Sequence, residues 1–325
     1  MERRQALTRI AGLAASGTLP PLARGQSEKA LTLVVPYPPG GGSDILARAI
    51  QPGLQKTLGQ TVIVENLAGA NGSLAARKVL NAAPDGNTLL VASPNEVVLA
   101  PLAMPGTRYT AEEFRMINLF YVTPLALYAR TGLTVDSVDS LIALARIDGT
   151  RELPYGTTGV GSMYHVVGEN FRALTGTRLL HVPYKGGGPL IQDLIGQQID
   201  LTILPVAANL LGMVDARQIK ILGVATPQRS PMAPNVPTFD EGKLLKGFHH
   251  SLWFGTVVPA KTPEGAVRRL HQALAQVVQM PETRAAIQVG GAEFGPVLSL
   301  TDAARFYASE NARIRRMAKG VKLES

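Results

Sequence analysis

The stretch Leu31-Thr-Leu-Val-Val-Pro-Tyr-Pro-Pro-Gly-Gly-Gly-Ser-Asp44 decides the fold class of this chain. It opens with an apolar run, which is typical of a β-strand buried on both faces. Prolines and glycines end that strand, and Ser43 or Asp44 is then placed to cap a helix. A buried strand that a glycine-rich loop joins to a helix is the repeating unit of an α/β fold.

The same alternation of strand and helix continues along the chain. Strands are predicted at 61–65 and 88–93, with a helix over 74–83 between them. Right-handed crossovers turn such a βαβαβ series into a parallel sheet with helices on both faces. A second series has strands at 125–129, 153–155, 179–184, 200–204 and 220–225. The sequence therefore predicts two doubly wound lobes, a proline-rich connection over 226–238 that lies across the first lobe, and a helical tail beginning near Pro263.

The composition excludes several classes of function. The chain has 325 residues and no cysteine, which excludes disulfides, thiolate nucleophiles, cysteine-bound zinc and a lipid-anchored form. The net charge is +8, but the basic residues are scattered or decorate a C-terminal helix, and aromatic residues make up only 5%. A nucleic-acid partner is therefore not expected.

Residues 1–26 are interpreted as a signal or leader peptide. They contain the pair Arg3-Arg4, a weakly apolar stretch rich in alanine and glycine, and small residues before Gln26. This pattern fits export, with a twin-arginine route as one possibility, and a disordered extension is the alternative. No later stretch has the ~20 uninterrupted apolar residues that span a bilayer. We expect an exported, soluble protein.

Two glycine-rich loops are the candidates for a ligand site. The first glycine loop is residues 36–44 and the second glycine loop is residues 156–162, each between a strand and a helix. Unpaired backbone N–H groups and the helix dipole favour an anion at such a position. Each loop alone could serve only as a tight turn and a cap, but one in each lobe favours a shared ligand. The residues assigned to ligand binding are Tyr37, Pro38, Pro39, Gly40, Gly41, Gly42, Ser43, Asp44, Ser93, Asn95, Gly156, Thr157, Thr158, Gly159, Gly161, Ser162, Tyr184 and Lys185.

Nucleotide-binding and catalytic motifs are missing from the sequence. The first glycine loop lacks the lysine of a P-loop, and Tyr164 stands at the third glycine position of a dinucleotide fingerprint. The histidines form no metal-binding or hydrolase motif. We interpret His165 as a core or surface histidine and Asp44 as a fixed hydrogen-bond acceptor rather than a general base. No catalytic residue, metal or cofactor is expected.

Six motifs occur in order along the chain: Val35-Pro-Tyr-Pro-Pro-Gly-Gly-Gly-Ser-Asp44, Gly69-Ala-Asn-Gly72, Ala83-Pro-Asp-Gly-Asn-Thr-Leu89, Tyr155-Gly-Thr-Thr-Gly-Val-Gly-Ser162, His181-Val-Pro-Tyr-Lys-Gly-Gly-Gly-Pro189 and Trp253-Phe-Gly255. Taken together they resemble the Bug family, the periplasmic substrate-binding components of tripartite tricarboxylate transporters. The likeness extends over residues 31–319, nearly the whole chain after the leader.

The resemblance implies a type II periplasmic-binding fold, with two α/β lobes and a ligand in the cleft between them. It places the lobe crossings near 121–125 and 225–228, so that residues 27–122 and 227–325 form lobe 1 and residues 123–226 form lobe 2. It further implies a carboxylate-bearing ligand, permease subunits of a tripartite tricarboxylate-type transporter as partners, and a monomer that catalyses nothing.

Two departures from the family pattern modify that expectation. The loop after the strand at 200–204 is apolar, Ile203-Leu-Pro-Val-Ala-Ala208, and the loop after Ser93 lacks the usual glycine and histidine. The ligand is therefore expected to be less polar than citrate. An enzyme on a similar two-lobed scaffold, or a sensor that engages a membrane receptor, are the alternatives. Trp253 is placed either at a lobe interface or in a core.

Overall fold

A computed structural model describes residues 29–147, 151–289, 292, 294–319 and 321. The leader predicted over residues 1–26 lies outside the described residues. The strands are β1 Leu31–Val35, β2 Val62–Asn66, β3 Thr88–Ala92, β4 Phe114–Arg130, β5 Leu153–Thr157, β6 Leu179–Pro183, β7 Leu201–Pro205, β8 Ile219–Val224 and β9 Ser251–Pro259. The α-helices are α1 Gly42–Leu58, α2 Ser73–Asn81, α3 Ala100–Ala103, α4 Val138–Ala145, α5 Met163–Thr175, α6 Gly187–Ile195, α7 Ala208–Asp215, α8 Glu264–Val277, α9 Pro281–Val289 and α10 Leu300–Ala318.

The strands form one sheet in two halves that share β4. In the first half the order is β2-β1-β3-β9, and β9 pairs with β4 from Phe114 to Pro124. In the second half, residues 125–130 of β4 pair with β7 and β8, and β5 and β6 follow beyond β7. Both halves therefore depend on a single long strand.

The sheet is mixed rather than purely parallel, which corrects the expectation from the βαβ series. β1, β2 and β3 pair in parallel, as do β5, β6 and β7. β4 and β9, however, run antiparallel to their neighbours. The sequence analysis missed β9 and the part of β4 before residue 125, because their partners are distant in sequence and no local helix–strand alternation marks them.

The proline-rich connection lies in a different place from the one expected. The amide of Val224 at the end of β8 donates to Pro237 O, and Thr238 forms a bridge with Val224. The amides of Lys243 and Leu244 then donate to Asp139 of α4. The end of this connection therefore packs on the second half of the sheet, not across the first.

The core of the first half is closed by the C-terminal helices. Trp253 on β9 is 1% exposed and meets Tyr307 of α10 edge-on, with ring centroids 5.9 Å apart. This contact places Trp253 in a core, so the lobe-interface alternative is wrong. α8 and α9 pack against α1 on the same half. No helix among the described residues is both long enough and apolar enough to cross a membrane.

Candidate functional site

A backbone amide of the first glycine loop is hydrogen-bonded to a side chain of the same loop. α1 begins at Gly42 with Gly41 as an extended N-cap residue, so the expected caps Ser43 and Asp44 are wrong. Asp44 is instead buried in the first turn and accepts hydrogen bonds from Gly40 N and Asn66 Nδ2, each at 2.9 Å. Its reach back to Gly40 is possible because Gly40 adopts φ +88°.

Asp44 is an ionised, fixed acceptor in this arrangement. Burial alone would raise the pKa of Asp44, but hydrogen bonds from Arg48, Gly40 and Asn66 outweigh it and hold the pKa below its ordinary value. A carboxylate whose pKa is lowered by several donors is a poor general base at neutral pH. The interpretation of Asp44 as a structural acceptor therefore fits the geometry.

The second glycine loop rests on two stacked histidines. Ser162 caps α5 by accepting from His165 N at 3.3 Å, and His165 Nδ1 accepts from Gly161 N at 3.1 Å. His181 lies on His165 with ring centroids 4.0 Å apart, and its Nε2 contacts Thr157 Oγ1 at 2.7 Å. The histidines thus shape the loop from beneath, and His165 is a buried histidine as expected.

Both rings are held neutral. Burial lowers the pKa of His165, and burial together with the neighbouring His165 lowers the pKa of His181 to about 4. Because His165 Nδ1 accepts a hydrogen bond from Gly161 N, the ring proton is assigned to its Nε2. Protonation of His165 would remove that acceptor from under Gly161.

The second glycine loop touches the first half of the sheet directly. The amide of Met163, the first residue of α5, donates to Asn95 Oδ1 at 2.7 Å, and Asn71 Nδ2 donates to Gly161 O at 3.1 Å. A Cβ added to Gly161 would overlap Ala103 of α3. Two side-chain hydrogen bonds and one tight backbone approach therefore join the halves at this point.

Glu96 is a buried acid behind this contact that the sequence analysis missed. It lies in a π-helical turn, Asn95–Leu99, and is fully buried. Its carboxylate accepts from the amide and the hydroxyl of Ser93 and from Tyr37 Oη, the last at 3.1 Å. Burial raises the pKa of Glu96 to about 7 against the lowering effect of these bonds. Glu96 thus links two of the predicted site residues, Tyr37 and Ser93.

Asn71 is the second residue that sequence reasoning missed as a site residue. It belongs to the Gly69-Ala-Asn-Gly72 motif, and it adopts φ +50°, a conformation that asparagine tolerates better than most residues. Its presence between glycines was the available signal, but its contact with Gly161 depends on the fold.

The other residues assigned to ligand binding differ in their contacts and in their exposure. A Cβ added to Gly186, next to Lys185, would lie 4.0 Å from Pro38 Cδ, so these loops also approach each other. The amide of Tyr184 donates to Thr157 O at 2.8 Å. A Cβ added to Gly42 would lie 3.1 Å from the ring of Phe254. The exposed residues are Pro38, Pro39, Gly40, Gly41, Gly42 and Lys185.

Buried hydroxyls remain available on both glycine loops. Ser43 Oγ in the first and Thr158 Oγ1 in the second have no hydrogen-bond partner within the part of the chain that the structure describes. Asn71 Oδ1 is unpartnered in the same way. Buried polar atoms are normally paired with protein, water or ligand. These three atoms therefore have free hydrogen-bonding capacity.

No cluster of three or more His, Asp or Glu residues that could hold a metal ion occurs among the described residues. The apolar loop after β7 packs on the shared strand: Val206 is 2% exposed, its amide donates to Pro124 O at 2.9 Å, and its carbonyl accepts from Thr123 Oγ1 at 3.0 Å. This loop therefore offers no charged side chain to the site.

Comparisons with known proteins give a consistent result. A family model described as the tripartite tricarboxylate transporter family receptor matches residues 46–323. Protein BugT of Bordetella pertussis is 32% identical over 286 residues, which cover 87% of this chain and 86% of BugT.

Solved structures agree with the sequence matches. A Rhodopseudomonas palustris protein, Rpa4515, solved with adipate, is 30% identical, with a TM-score of 0.79 over 90% of this chain and 97% of that protein. MatC of the same organism, solved with bound malate, is 28% identical, with a TM-score of 0.78 over 89% of this chain and 98% of MatC. The two-lobed periplasmic-binding fold expected from the sequence is confirmed.

Proposed function

The chain belongs to the tripartite tricarboxylate transporter receptor family, whose members are periplasmic solute-binding proteins, and we propose that it captures a small carboxylate-bearing molecule in the cleft between its lobes. The resemblance to the Bug family is thereby confirmed. The proposal further holds that the protein works in the periplasm as a monomer, hands its ligand to permease subunits of a tripartite tricarboxylate-type transporter, and catalyses no reaction.

The observation that carries the proposal is a pair of buried hydroxyls, Ser43 Oγ and Thr158 Oγ1, one on each glycine loop. Neither has a hydrogen-bond partner among the described residues. A ligand that accepts from both hydroxyls contacts both lobes at once. Only a ligand with contacts to both lobes stabilises the closed state relative to the open state. We propose that the eighteen residues assigned from the sequence form this site, with Asn71 added to them.

The ligand carboxylate is proposed to lie nearer the second glycine loop than the first. Asp44 already accepts the hydrogen bond of the Gly40 amide, so this N–H group is not free for a ligand carboxylate. The second glycine loop has neutral histidines beneath it, and the exposed Lys185 stands in the neighbouring loop. These charges favour an anion on that side of the cleft.

The rest of the ligand is proposed to be less polar than citrate. The loop after β7 carries the half-buried Ala207 and Ala208 and no charged side chain. Adipate and malate, the ligands of the two R. palustris relatives, provide suitable reference compounds. Adipate has four methylene groups between its carboxylates, so an apolar wall favours it over malate.

Calorimetric titration with adipate, malate, citrate and benzoate tests this proposal. We expect binding of adipate or of a monocarboxylate to be tighter than that of citrate. The variant Thr158→Val keeps the shape of the side chain and removes its hydroxyl, so the affinity should fall by about tenfold. The change Thr134→Val, outside the loops, is the matched control. Tight citrate binding without any binding of the other acids would contradict the proposed ligand class.

A further inference from the structure

An open cavity of about 420 Å³ lies in the first half of the sheet, away from the glycine loops. It is bordered by the C-terminal end of α2, by residues 107–109 and by the turn that follows β9. Its volume is within the range of small-molecule sites. None of the residues assigned to ligand binding lines it.

Three cationic side chains line this cavity, and none has a counter-ion among the residues that the structure describes. Arg77, Arg108 and Lys261 form no ion pair or side-chain hydrogen bond with any described residue. Their neighbours in sequence or space behave differently, since Lys78 pairs with Glu65 and Arg115 pairs with Glu264. Three unpaired cations around one cavity create a positive potential that attracts anions.

The single carboxylate on the lining is already engaged. Glu113 accepts from the amide of Thr110 at 2.8 Å in a capping box. That contact fixes the Glu113 carboxylate on its own turn. With three cationic side chains and one carboxylate, the cavity lining has a net positive charge. Asn81 and Thr107 add neutral polar groups to its wall.

The position of Arg108 is set by the backbone. Arg108 adopts φ +53°, a left-handed conformation that is unfavourable for a residue with a side chain. It stands between Thr107 and Tyr109, each 5% exposed. Such strain persists only where the surroundings over-determine the backbone. The guanidinium of Arg108 is therefore attached at a rigid point of the cavity wall.

The cavity is also connected to the predicted ligand site through one residue. Tyr109, on the cavity wall, donates its hydroxyl to Glu96 O at 2.5 Å. The side chain of Glu96 in turn accepts from Tyr37 of the first glycine loop. A group bound in the cavity is thus two hydrogen bonds away from the loop that is proposed to hold the ligand.

We propose that this cavity is a second anion-binding site, which takes a carboxylate group between Arg77, Arg108 and Lys261. Two arginines and a lysine with adjacent amide and hydroxyl groups match the several acceptor positions of a carboxylate. The carboxylate has two possible sources: a free small dicarboxylate, or an acidic side chain on a segment of a partner protein.

The test uses two probes and a charge-matched control. Succinate represents the free acid, and a fluorescently labelled tetraglutamate peptide represents an acidic protein segment; both are titrated at low and at physiological salt. The cavity variant is Arg77→Gln with Lys261→Gln. The control is Arg178→Gln with Lys56→Gln, which removes the same charge from two exposed residues outside the cavity that lack ion pairs among the described residues.

At least one probe should lose roughly tenfold in affinity in the cavity variant and less than about twofold in the control. Loss for succinate alone identifies a free acid as the source, and loss for the peptide alone identifies a protein segment. Equal losses in the two variants, or no binding of either probe to the wild type, would overturn the site.

The same variants separate this inference from the proposed function. The cavity variant should bind the carboxylate found for the interlobe cleft with wild-type affinity, because no cavity residue is assigned to that cleft. A chain that binds no carboxylate in the cleft but loses tetraglutamate binding in the cavity variant would contradict the proposed function alone.

Discussion

In the first glycine loop the amide of Gly40 donates to Asp44 of the same loop, whereas at the second glycine loop the amide of Met163 donates to Asn95 from the other half of the sheet. The two loops are similar in composition and in position at the carboxyl ends of strands. The first is therefore held by contacts within its own lobe, where Arg48 pairs with the Asp44 carboxylate at 3.0 Å. The second rests on two neutral histidines and gains hydrogen bonds where it meets the other lobe.

This difference predicts that losing contacts in the first glycine loop affects stability, whereas losing contacts of the second glycine loop affects lobe closure. Contacts inside the first glycine loop are present whether or not the lobes are closed, so their loss lowers the free energy of unfolding. Under the proposed function, contacts between the second glycine loop and the other half are made only in the closed state, so their loss should lower ligand affinity. Three experiments test this division between the two loops.

Gly161→Ala should weaken ligand binding by about a hundredfold or more, because its Cβ would overlap Ala103 in the closed arrangement. Gly176→Ala is the matched control: it imposes the same left-handed strain at φ +65° and meets no atom within 4 Å. Calorimetry with the preferred acid of the screen measures both. Adding Ala103→Gly to Gly161→Ala should restore part of the affinity, and similar affinity in the two single variants would rule out the tight approach as a requirement for closure.

Asn95→Ala should reduce ligand affinity by about tenfold, because it leaves the buried amide of Met163 without its acceptor in the closed state. Asn66→Ala makes the same chemical change inside the first lobe, where Asn66 donates to Asp44 and Tyr37 O. We expect it to lower the free energy of unfolding by about 1–2 kcal/mol instead.

Urea unfolding of the ligand-free protein and calorimetry distinguish these two outcomes. If Asn95→Ala destabilised the ligand-free protein as much as Asn66→Ala, the contact between Asn95 and Met163 would not be specific to closure.

The smallest effect concerns pH. The pKa of His181 is lowered to about 4 in the folded chain, so the unfolded chain binds more protons between about pH 6.5 and pH 4. Stability should therefore fall as the pH falls through that window, by about 1 kcal/mol from His181 after allowance for its partial exposure. Urea unfolding at several pH values measures this slope.

His181→Gln should flatten the slope of the free energy of unfolding against pH in this window. Asp44 contributes at a lower pH. Its lowered pKa stabilises the fold above its unfolded pKa, and that contribution is lost as the pH falls below about 4. His250, whose pKa burial also lowers to about 4, titrates outside the loops, and His250→Gln is the control. Ligand affinity should become less pH-dependent in His181→Gln only. An unchanged slope in that variant would contradict the assignment.

The sequence was sufficient to predict the elements that local pattern determines. β1, β3 and β5 begin at the expected residues, because buried apolar runs are bounded by glycine and proline. β9 and the beginning of β4 were missed, because each runs antiparallel beside a strand far away in the chain. Pairing of that kind is determined by tertiary contacts and leaves no local period.

The candidate site shows the same limit. Ser162 caps α5 as an N-cap residue should. Asp44 does not cap α1, because the conformation of Gly40 lets the Asp44 carboxylate accept from the Gly40 amide. Glu96 and Asn71 could not be assigned a role, because their partners come from other segments of the fold. Residue type indicates what a side chain can bind, and only the three-dimensional contacts select the partner.

The central position of β9 has a consequence for the order in which the chain can fold during synthesis. Leu90 of β3 pairs with Val257, and Val122 of β4 pairs with Trp253. The first sheet half therefore stays divided until the whole second half has left the ribosome. The second half, whose strands all come from the contiguous stretch 125–224, can form earlier. The N-terminal lobe is thus the last to be completed, and until then its unpaired strand edges can pair with other chains.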